Sequence, residues 1–181
     1  TLRVEATDSA GSLDLAGFRL SLNDLGLLYD GEKDFTINDS SVTKTGFIEG
    51  EASGNKALFI YHSGTGKLTL NAKLSTGASS SIAFIGEGGL IDLNAAANIN
   101  GNTHVEGVVV RVSDAAAMTL SNTVTTGNGS GYLNLSNGGI LELPGTDFTR
   151  GLSSTAASGQ FGFLDGDGGG VWAAGAARCE R

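Results

Sequence analysis

Two carboxylates near the end of the chain have the spacing of an oxygen-rich turn. Asp165 and Asp167 alternate with glycines. Calcium takes several oxygen ligands from loops of this kind, so the turn is a candidate calcium site. The helix-flanked calcium-binding loop and the glycine-rich nonapeptide repeat are both missing around it, which favours a plain acidic turn. The sequence predicts no other metal site and no cofactor.

A second candidate for chemistry is the acid–base pair formed by Asp147 and Arg150. Glycoside hydrolysis needs a pair of carboxylates at a set separation, and this acid–base pair is the tightest that we nominate for carbohydrate chemistry. A structural role explains the two residues with fewer assumptions, so we predict that the chain is not an enzyme. A polysaccharide lyase or hydrolase stays an alternative, and activity on acidic polysaccharides that Asp147→Ala abolishes would support it.

Histidines and a short glycine motif offer weaker candidates. His62 and His104 each lie close to a glycine or asparagine turn, and nothing in the sequence brings them together as a nucleophile–base pair. We expect both to be solvent-exposed turn residues. Residues 64–67 (GTGK) end like a phosphate-binding loop, but Tyr61 stands where that loop requires glycine and Leu68 where it requires Ser or Thr.

The elements that would position these residues are short strands in a repeat. An apolar-x-apolar unit recurs at first positions 22, 33, 23, 27 and 23 residues apart. Three of these intervals are 22 or 23 residues, and we interpret the longer two as the same coil with an insertion. A repeat of this length is typical of stacked coils, so we predict an all-β solenoid of about six to seven coils. An antiparallel β-sandwich is the alternative, because it also uses short strands and Gly/Asn turns. The units begin at Leu13, Phe35, Leu68, Ile91, Met118 and Leu141.

Alternation within each unit assigns its faces, since neighbouring side chains of a strand point to opposite sides. The flanking apolar residues should face inward, and the middle residues should form an exterior polar column. We centre the repeat on residues 117–139, which read as one whole coil. The predicted exterior column consists of Asp14, Thr36, Thr69, Asp92, Thr119 and Glu142.

The coil corners have their own residue types. Asn38, Asn71 and Asn94 follow three of the units, and their amides can form a ladder from coil to coil. Glycine pairs or triplets precede Leu90, Ile140 and Val171. Glycine accepts a positive φ at such corners without steric cost, so we predict turns there.

Composition and charge limit the partners. The formal net charge is −8 with a pI of about 4.6, which argues against nucleic acid and against attraction to anionic membranes. No apolar run reaches the roughly 18 residues that a membrane-spanning helix needs, so we predict that this segment is not membrane-embedded. Cys179 is the single cysteine and has no partner within the chain. We interpret residues 1–181 as one solenoid segment of a longer protein.

The C-terminal part resembles a known family. Residues 147–152 (DFTRGL), 159–161 (GQF) and 168–176 (GGGVWAAGA) are similar to the autotransporter-associated β-strand repeat. The resemblance implies a right-handed parallel β-helix, as in autotransporter passenger domains, on the bacterial surface or outside the cell. It carries over no catalytic residues. It implies structural roles for five residues, namely Phe148, Arg150, Gly169, Gly170 and Trp172.

These observations together predict a structural protein. We expect a stalk, fibre or adhesin passenger segment, extracellular or on the outer-membrane surface of a bacterium, that associates with itself through the ends of the solenoid. The alternative is a module that binds glycans or a host surface through insertions at residues 43–54 and 98–105.

Overall fold

The fold is built from short strands alone in the region of the chain that the structure describes. In this computed structural model, that region forms nineteen strands, numbered β1 to β19 in chain order, and no helix. The described ranges are residues 1–22, 26–50, 57–76, 81–95, 97–98, 101–113, 131–143, 151–152, 160–163 and 168–173.

Three parallel sheets hold these strands. Sheet 1 runs, in spatial order, Leu2–Val4 (β1), Leu27–Tyr29 (β4), Leu58–His62 (β7), Ile82–Gly86 (β10), Thr103–Glu106 (β13), Leu133–Ser136 (β15), Gln160–Gly162 (β18) and Gly151–Leu152 (β17). Sheet 2 runs Gly11–Asp14 (β2), Phe35–Asn38 (β5), Leu68–Leu70 (β8), Leu90–Leu93 (β11), Val109–Val112 (β14), Gly139–Leu143 (β16) and Gly169–Ala173 (β19). Sheet 3 runs Arg19–Ser21 (β3), Phe47–Glu49 (β6), Lys73–Ser75 (β9) and Ala97–Asn98 (β12).

Successive coils stack in register, which is the arrangement of a parallel β-helix. The chain visits sheets 1, 2 and 3 in turn, and each strand pairs in parallel with the equivalent strand one coil later. The seven strands of sheet 2 correspond to seven coils, as predicted. Every strand pair among the described residues is parallel, so the antiparallel sandwich considered from the sequence is wrong.

Inward columns of apolar side chains form the core. In sheet 1 the register aligns Leu27, Ile60, Phe84, Val105 and Leu135, and all five are fully buried. Because each coil contributes one residue to this column, burial of one coil depends on its neighbours, as in other solenoids. No helix in the described ranges is long and apolar enough to cross a membrane.

The asparagine corners are confirmed, and the first glycine of each predicted turn (Gly88, Gly138 and Gly168) has a positive φ, whereas Gly139, Gly169 and Gly170 lie in strands β16 and β19. Asn71 donates its side-chain N–H to Asn38 Oδ1 at 2.7 Å, and Asn94 donates to Asn71 Oδ1 at 3.0 Å, so the amide ladder exists. Gly88 and Gly138 have φ values of 100° and 74°, which places the left-handed conformation that favours glycine just before β11 and β16. These corners let the chain turn from sheet 1 into sheet 2.

The predicted alignment of the repeat is wrong in two coils. Ser12, not Asp14, lies beside Thr36 in the exterior column, because Asp14 pairs with Asn38 at the following corner. Asp92 lies beside Arg111, so β14 supplies the unit that we assigned from the sequence to residues 118–120. Met118 and Thr119 lie outside the described residues, as do residues 114–130 of the stretch on which the repeat was centred.

Coil length explains the error in alignment. Equivalent positions are 19 residues apart from Leu93 to Val112 and 33 apart from Ile37 to Leu70. Matching the units in the sequence favours an alignment with equal spacing between them. The corners of a solenoid, however, accept loops of very different length. Register is therefore decided by the hydrogen-bonded ladders and not by the spacing of the units.

One strand departs from the order of the coils. The short β17 precedes β18 in sequence but pairs with its far edge, through Gly151 with Gln160 and Leu152 with Phe161. At this end of sheet 1, the chain therefore places an additional strand where the next coil would otherwise pair. No pattern in the sequence indicated this exchange of order.

Candidate functional site

Most residues that the sequence proposed for chemistry fall outside the described region of the chain. This holds for Asp147, Phe148, Arg150, Asp165 and Asp167. The calcium turn and the acid–base pair therefore stay predictions. Cys179 and the side chain of Trp172 also lie outside it.

Gly169 and Gly170 are the predicted structural residues that the structure places. Both lie in β19, where they pair with Gly139 and Ile140 of the preceding coil. A Cβ atom on Gly169 would lie 2.7 Å from the carbonyl oxygen of Gly139 and 2.9 Å from Cβ of Leu135. Glycine at this position therefore lets two coils approach, which is a structural role.

The two histidines are in strands, so the expectation of exposed turn residues is wrong. His62 ends β7 and is fully buried. Its ring packs edge-on against Tyr29 at 5.0 Å, and its Nε2 lies 2.8 Å from the carbonyl oxygen of Gly66. His104 lies in β13, half-buried and facing outward. The two do not form a catalytic pair, because one faces the core and the other the exterior.

The environment of His62 makes folding sensitive to pH. Nε2 must carry its proton to bond the Gly66 carbonyl, and buried Nδ1 has no hydrogen-bond partner among the described residues. Burial lowers the pKa of His62 below its usual 6.5. The unfolded chain therefore binds more protons below about pH 6.5, and stability falls as pH decreases from there towards the lowered pKa.

We expect the free energy of unfolding to drop by up to about 1.4 kcal/mol per pH unit in this window, the limit for one proton. Urea titrations at pH 7, 6 and 5 measure the drop. The variant His62→Phe should flatten the profile between pH 6.5 and 5. An unchanged slope in His62→Phe would contradict the assignment.

The most organised surface feature is a loop at the corner between sheets 2 and 3, residues 40–46, which we call the corner loop. Its anchor is Asp39, which directly follows β5 and is buried. Asp39 accepts backbone N–H groups from Gly17 at 2.8 Å, Ser41 at 3.1 Å and Gly46 at 2.7 Å. One carboxylate therefore joins both ends of the corner loop to the previous coil.

Further bonds fix the interior of the corner loop. Lys44 donates its ammonium group to the carbonyl oxygen of Asp39 at 2.6 Å, and Thr45 donates its N–H to Ser41 Oγ at 3.2 Å. Lys44 has a φ of 50°, and Ala16 in the previous coil has a φ of 49°. A left-handed conformation costs a residue other than glycine about 1 kcal/mol. This local cost is offset by the hydrogen bonds that converge on the corner.

Asp14 has the equivalent role in the preceding coil. Its Oδ1 accepts the N–H groups of Ala16 and Ser40, each at 2.9 Å. Hydrogen bonds from Ser40, the side chain foremost and then the backbone N–H, lower the pKa of Asp14. Hydrogen bonds from Ser41, again the side chain foremost, and from Gly46 and Gly17 lower the pKa of Asp39 against the opposing effect of burial.

The corner loop displays apolar side chains instead of burying them. Val42 at its tip is 99% exposed, and Phe18 on the adjacent turn is 75% exposed. Beside them, Arg19 lies over the Phe47 ring at 4.8 Å and pairs with Glu49 at 3.3 Å. A rigid loop that presents exposed apolar groups can bind a partner without first ordering itself, which lowers the entropic cost of binding.

The lowered pKa values predict acid sensitivity of the corner loop. A carboxylate whose pKa is lower in the folded state contributes stability above its unfolded value, near 3.8, and loses it as pH falls below that value. We expect Asp39→Asn to be destabilised at pH 7 and to lose less stability than the natural chain between pH 4 and 2.5. Urea titrations across this range test it, with the exposed Asp8→Asn as matched control. Parallel acid profiles for the natural chain and Asp39→Asn would exclude Asp39 as the cause.

The sequence predicted only part of the corner loop. The first predicted insertion, residues 43–54, includes half of the corner loop, but Phe47–Glu49 is strand β6 and residues 51–54 lie outside the described region. The second, residues 98–105, is not a presented loop where it is described, because Thr103 and Val105 are buried in β13. Asp39 was overlooked. An Asp beside Ser at the end of a strand is a turn signal that could have indicated it.

Comparison with known proteins finds no match to this chain. The chain matches no protein-family model, no curated protein and no solved structure.

Proposed function

We propose that this chain is a structural segment of a bacterial cell-surface or extracellular β-solenoid, similar to an autotransporter passenger, that serves as a stalk or fibre. The observation that carries the proposal is the unbroken stacking of seven parallel coils along sheet 2. Such stacking gives a rod in which every coil is supported by its neighbours. A rod of this kind resists bending and holds whatever it carries at a fixed distance from a surface.

Assembly through the coil edges belongs to this proposal. In sheet 2, Gly11 and Leu15 donate their N–H groups to Asp34 and Asn38 of the next coil. The alternation of a parallel strand then directs the N–H of Ser12 away from that coil. In the purified chain this edge is a template for another strand, supplied by a second copy of the segment or by an adjoining coil.

Electron microscopy of the purified chain tests the assembly. We expect filaments of constant narrow width at high protein concentration and short single rods on dilution. Ser12→Pro removes the outward N–H without touching the internal ladder, so it should shorten or abolish the filaments, while Ser12→Ala should not. Single rods of the natural chain at every concentration would contradict end-to-end association.

A binding module is the second candidate, and the corner loop is the specific observation that favours it. Here the rod would present Val42 and Phe18 to a glycan or a host surface. Saturable binding to a glycan panel or to host cells, lost in the double variant Val42→Ser, Phe18→Ser with an unchanged circular dichroism spectrum, would support it. Binding that survives this double variant would exclude the corner loop.

A further inference from the structure

The inward column of sheet 1 is fully buried in the middle of the solenoid and partly exposed at both ends. Its first member, Leu2, is half-buried, whereas the five members after it are fully buried. At the other end, Phe161 pairs with Leu133, so Phe163 two positions later lies in line with Leu135. Phe163 is 42% exposed. In order the column consists of Leu2, Leu27, Ile60, Phe84, Val105, Leu135 and Phe163.

The short strand β17 covers only part of the C-terminal edge of sheet 1. Its two residues pair with Gln160 and Phe161 of β18, which is the column beside that of Phe163. Phe161 is half-buried against the core, and the Phe163 ring contacts it edge-on with centroids 5.9 Å apart. In the described part of the chain, this edge is therefore left open along the column that Leu2 begins.

Sheet 2 has a matching pair of edges, β2 and β19. Its register runs unbroken from Ser12 in β2 to Trp172 in β19. Between neighbouring coils, an outward residue donates its N–H to the carbonyl just before its partner in the earlier coil. In β16, for example, Ile140 pairs with Val109 and donates its N–H to the carbonyl oxygen of Val108 at 2.9 Å. The N–H of Ser12 points in the same direction, away from β5.

We infer, on the basis of the proposed function, that the end-to-end association is head to tail and in register, so that the first coil of a second copy continues the seventh coil of the first. Leu2 of the second copy then packs against Phe163 of the first. Ser12 of the second copy aligns with Trp172 and donates its N–H to the carbonyl oxygen of Val171. Both sheets continue with the one-coil shift that they have inside the solenoid.

The three-sided coil favours this polarity over contacts between like ends. A two-fold axis across the rod can place only one of the three sheets on its own copy, and it exchanges the other two. It also makes the joined strands antiparallel, whereas every pair among the described residues is parallel. Head-to-tail stacking keeps each sheet on its own copy. A head-to-tail contact that does not close on itself generates filaments.

Disulfide trapping tests the register. Every variant carries Cys179→Ser, which removes the natural thiol. One variant adds Leu2→Cys and another adds Phe163→Cys, and the two are mixed with copper phenanthroline as oxidant at the concentration that gives filaments. In the inferred contact the two Cα atoms lie on neighbouring strands about 4.8 Å apart, within the range that a disulfide spans. The mixed dimer should form at least about tenfold faster than either dimer of like variants, because docking holds the two thiols at an effective concentration near millimolar.

Val4→Cys is the matched control for register. Val4 is half-buried and faces inward like Leu2, but it lies two positions further along β1. Its Cα would be roughly 8 Å from that of residue 163, given the spacing and rise of strands, and a disulfide cannot bridge more than about 7 Å. Mixed dimers of Val4→Cys and Phe163→Cys should therefore form about tenfold more slowly than those of Leu2→Cys and Phe163→Cys, as expected for undocked thiols. Mass spectrometry of the cross-linked peptides identifies each dimer.

Filament formation provides a second measurement. Phe163→Ser should raise the protein concentration at which filaments appear about tenfold, which corresponds to about 1.4 kcal/mol and is within the contribution of burying part of a large apolar side chain. Val42→Ser changes a side chain that is 99% exposed on the corner loop and should leave that concentration unchanged. Circular dichroism checks that both variants fold as the natural chain does.

The outcomes separate the polarity from the assembly itself. Filaments of the natural chain without an excess of the mixed dimer, or with equally fast cross-linking of Val4→Cys, would overturn the head-to-tail register and leave end-to-end assembly in place. An excess of Phe163→Cys dimers would have the same meaning, because it indicates contact between like ends. Single rods of the natural chain at every concentration, together with slow cross-linking in every mixture, would overturn both.

Discussion

Replacing Phe84 by alanine should lower the free energy of unfolding by about 3–5 kcal/mol, the usual cost of removing a buried phenylalanine. Phe84 is fully buried in the middle of the solenoid, between Ile60 and Val105 of the adjacent coils. Each coil contributes one residue to the column, so few neighbouring side chains can move to fill the cavity that the substitution leaves. Domains of ordinary stability have only about 5–15 kcal/mol to lose.

Urea titration monitored by circular dichroism measures this loss. Phe18→Ala is the matched control, since it removes the same atoms from a side chain that is 75% exposed. Surface substitutions of this kind change stability by about 0.5 kcal/mol or less. Similar losses in the two variants would show that Phe84 does not lie in a packed core and would contradict the solenoid register of sheet 1.

The second large effect should come from Gly64→Ala. Gly64 lies at the corner between sheets 1 and 2, where its Cα approaches the backbone of Gly31 in the previous coil. A Cβ would be 2.5 Å from the Gly31 nitrogen and 2.9 Å from its carbonyl carbon. Backbone atoms cannot rotate away from the added Cβ as a side chain can, so the two coils must move apart. This separation weakens the hydrogen bond that the Gly66 N–H donates to the Gly31 carbonyl oxygen, which is 3.0 Å long in the natural chain. We expect a loss of about 3 kcal/mol, at the upper end of overpacking costs.

Gly138 provides the contrasting case. Its φ is 74°, but a Cβ there would meet nothing within 4 Å. Gly138→Ala should therefore cost only the left-handed conformation, about 1 kcal/mol. Asparagine tolerates that conformation better than alanine, so Gly138→Asn should cost less stability than Gly138→Ala. Gly64→Asn, in contrast, should cost at least as much stability as Gly64→Ala. Thermal unfolding of the four variants checks this order, and an equal loss at both positions would exclude close approach of the coils as the reason for Gly64.

The solenoid depends on contact between coils, both through the inward column around Phe84 and through the glycine corners. A substitution that unfolds one middle coil also destabilises the coils on each side, because each of them loses its packing against that coil. Under the proposed function, a single core substitution would interrupt the rod, while a substitution of Val42 at the tip of the corner loop would alter only what the loop presents.

Much of the fold was predictable from the sequence because it depends on local chemistry. The apolar-x-apolar units determined which side chains of each strand face inward, and Leu68 and Leu70 of β8 are buried as expected. Three asparagines at equivalent corners predicted the amide ladder that Asn38, Asn71 and Asn94 form. Each of these signals requires only the two-residue period of a strand and the backbone preferences of Asn and Gly.

Other features were decided only by the tertiary structure. The register that pairs Ser12 with Thr36 and Asp92 with Arg111 depends on ladders between residues that a loop of any length can separate. The burial of His62 depends on Gly66, whose carbonyl oxygen bonds the ring, and on Gly89, where the lack of a side chain leaves room for it. The role of Asp39 depends on three N–H groups, one of which belongs to the previous coil.

The sequence by itself thus determined the class of fold and the inward face of units such as residues 68–70, because both follow from the alternation of apolar and polar residues along a few positions. The tertiary structure alone decided the register of the two misaligned coils, the burial of His62 and the anchoring of the corner loop by Asp39. Those arrangements join residues far apart in the chain, for example Gly17 and Asp39. For Ser12 and Arg111 the hydrogen-bonded ladders decided the register, because loops of uneven length separate the strands and the spacing of the units gives no signal there.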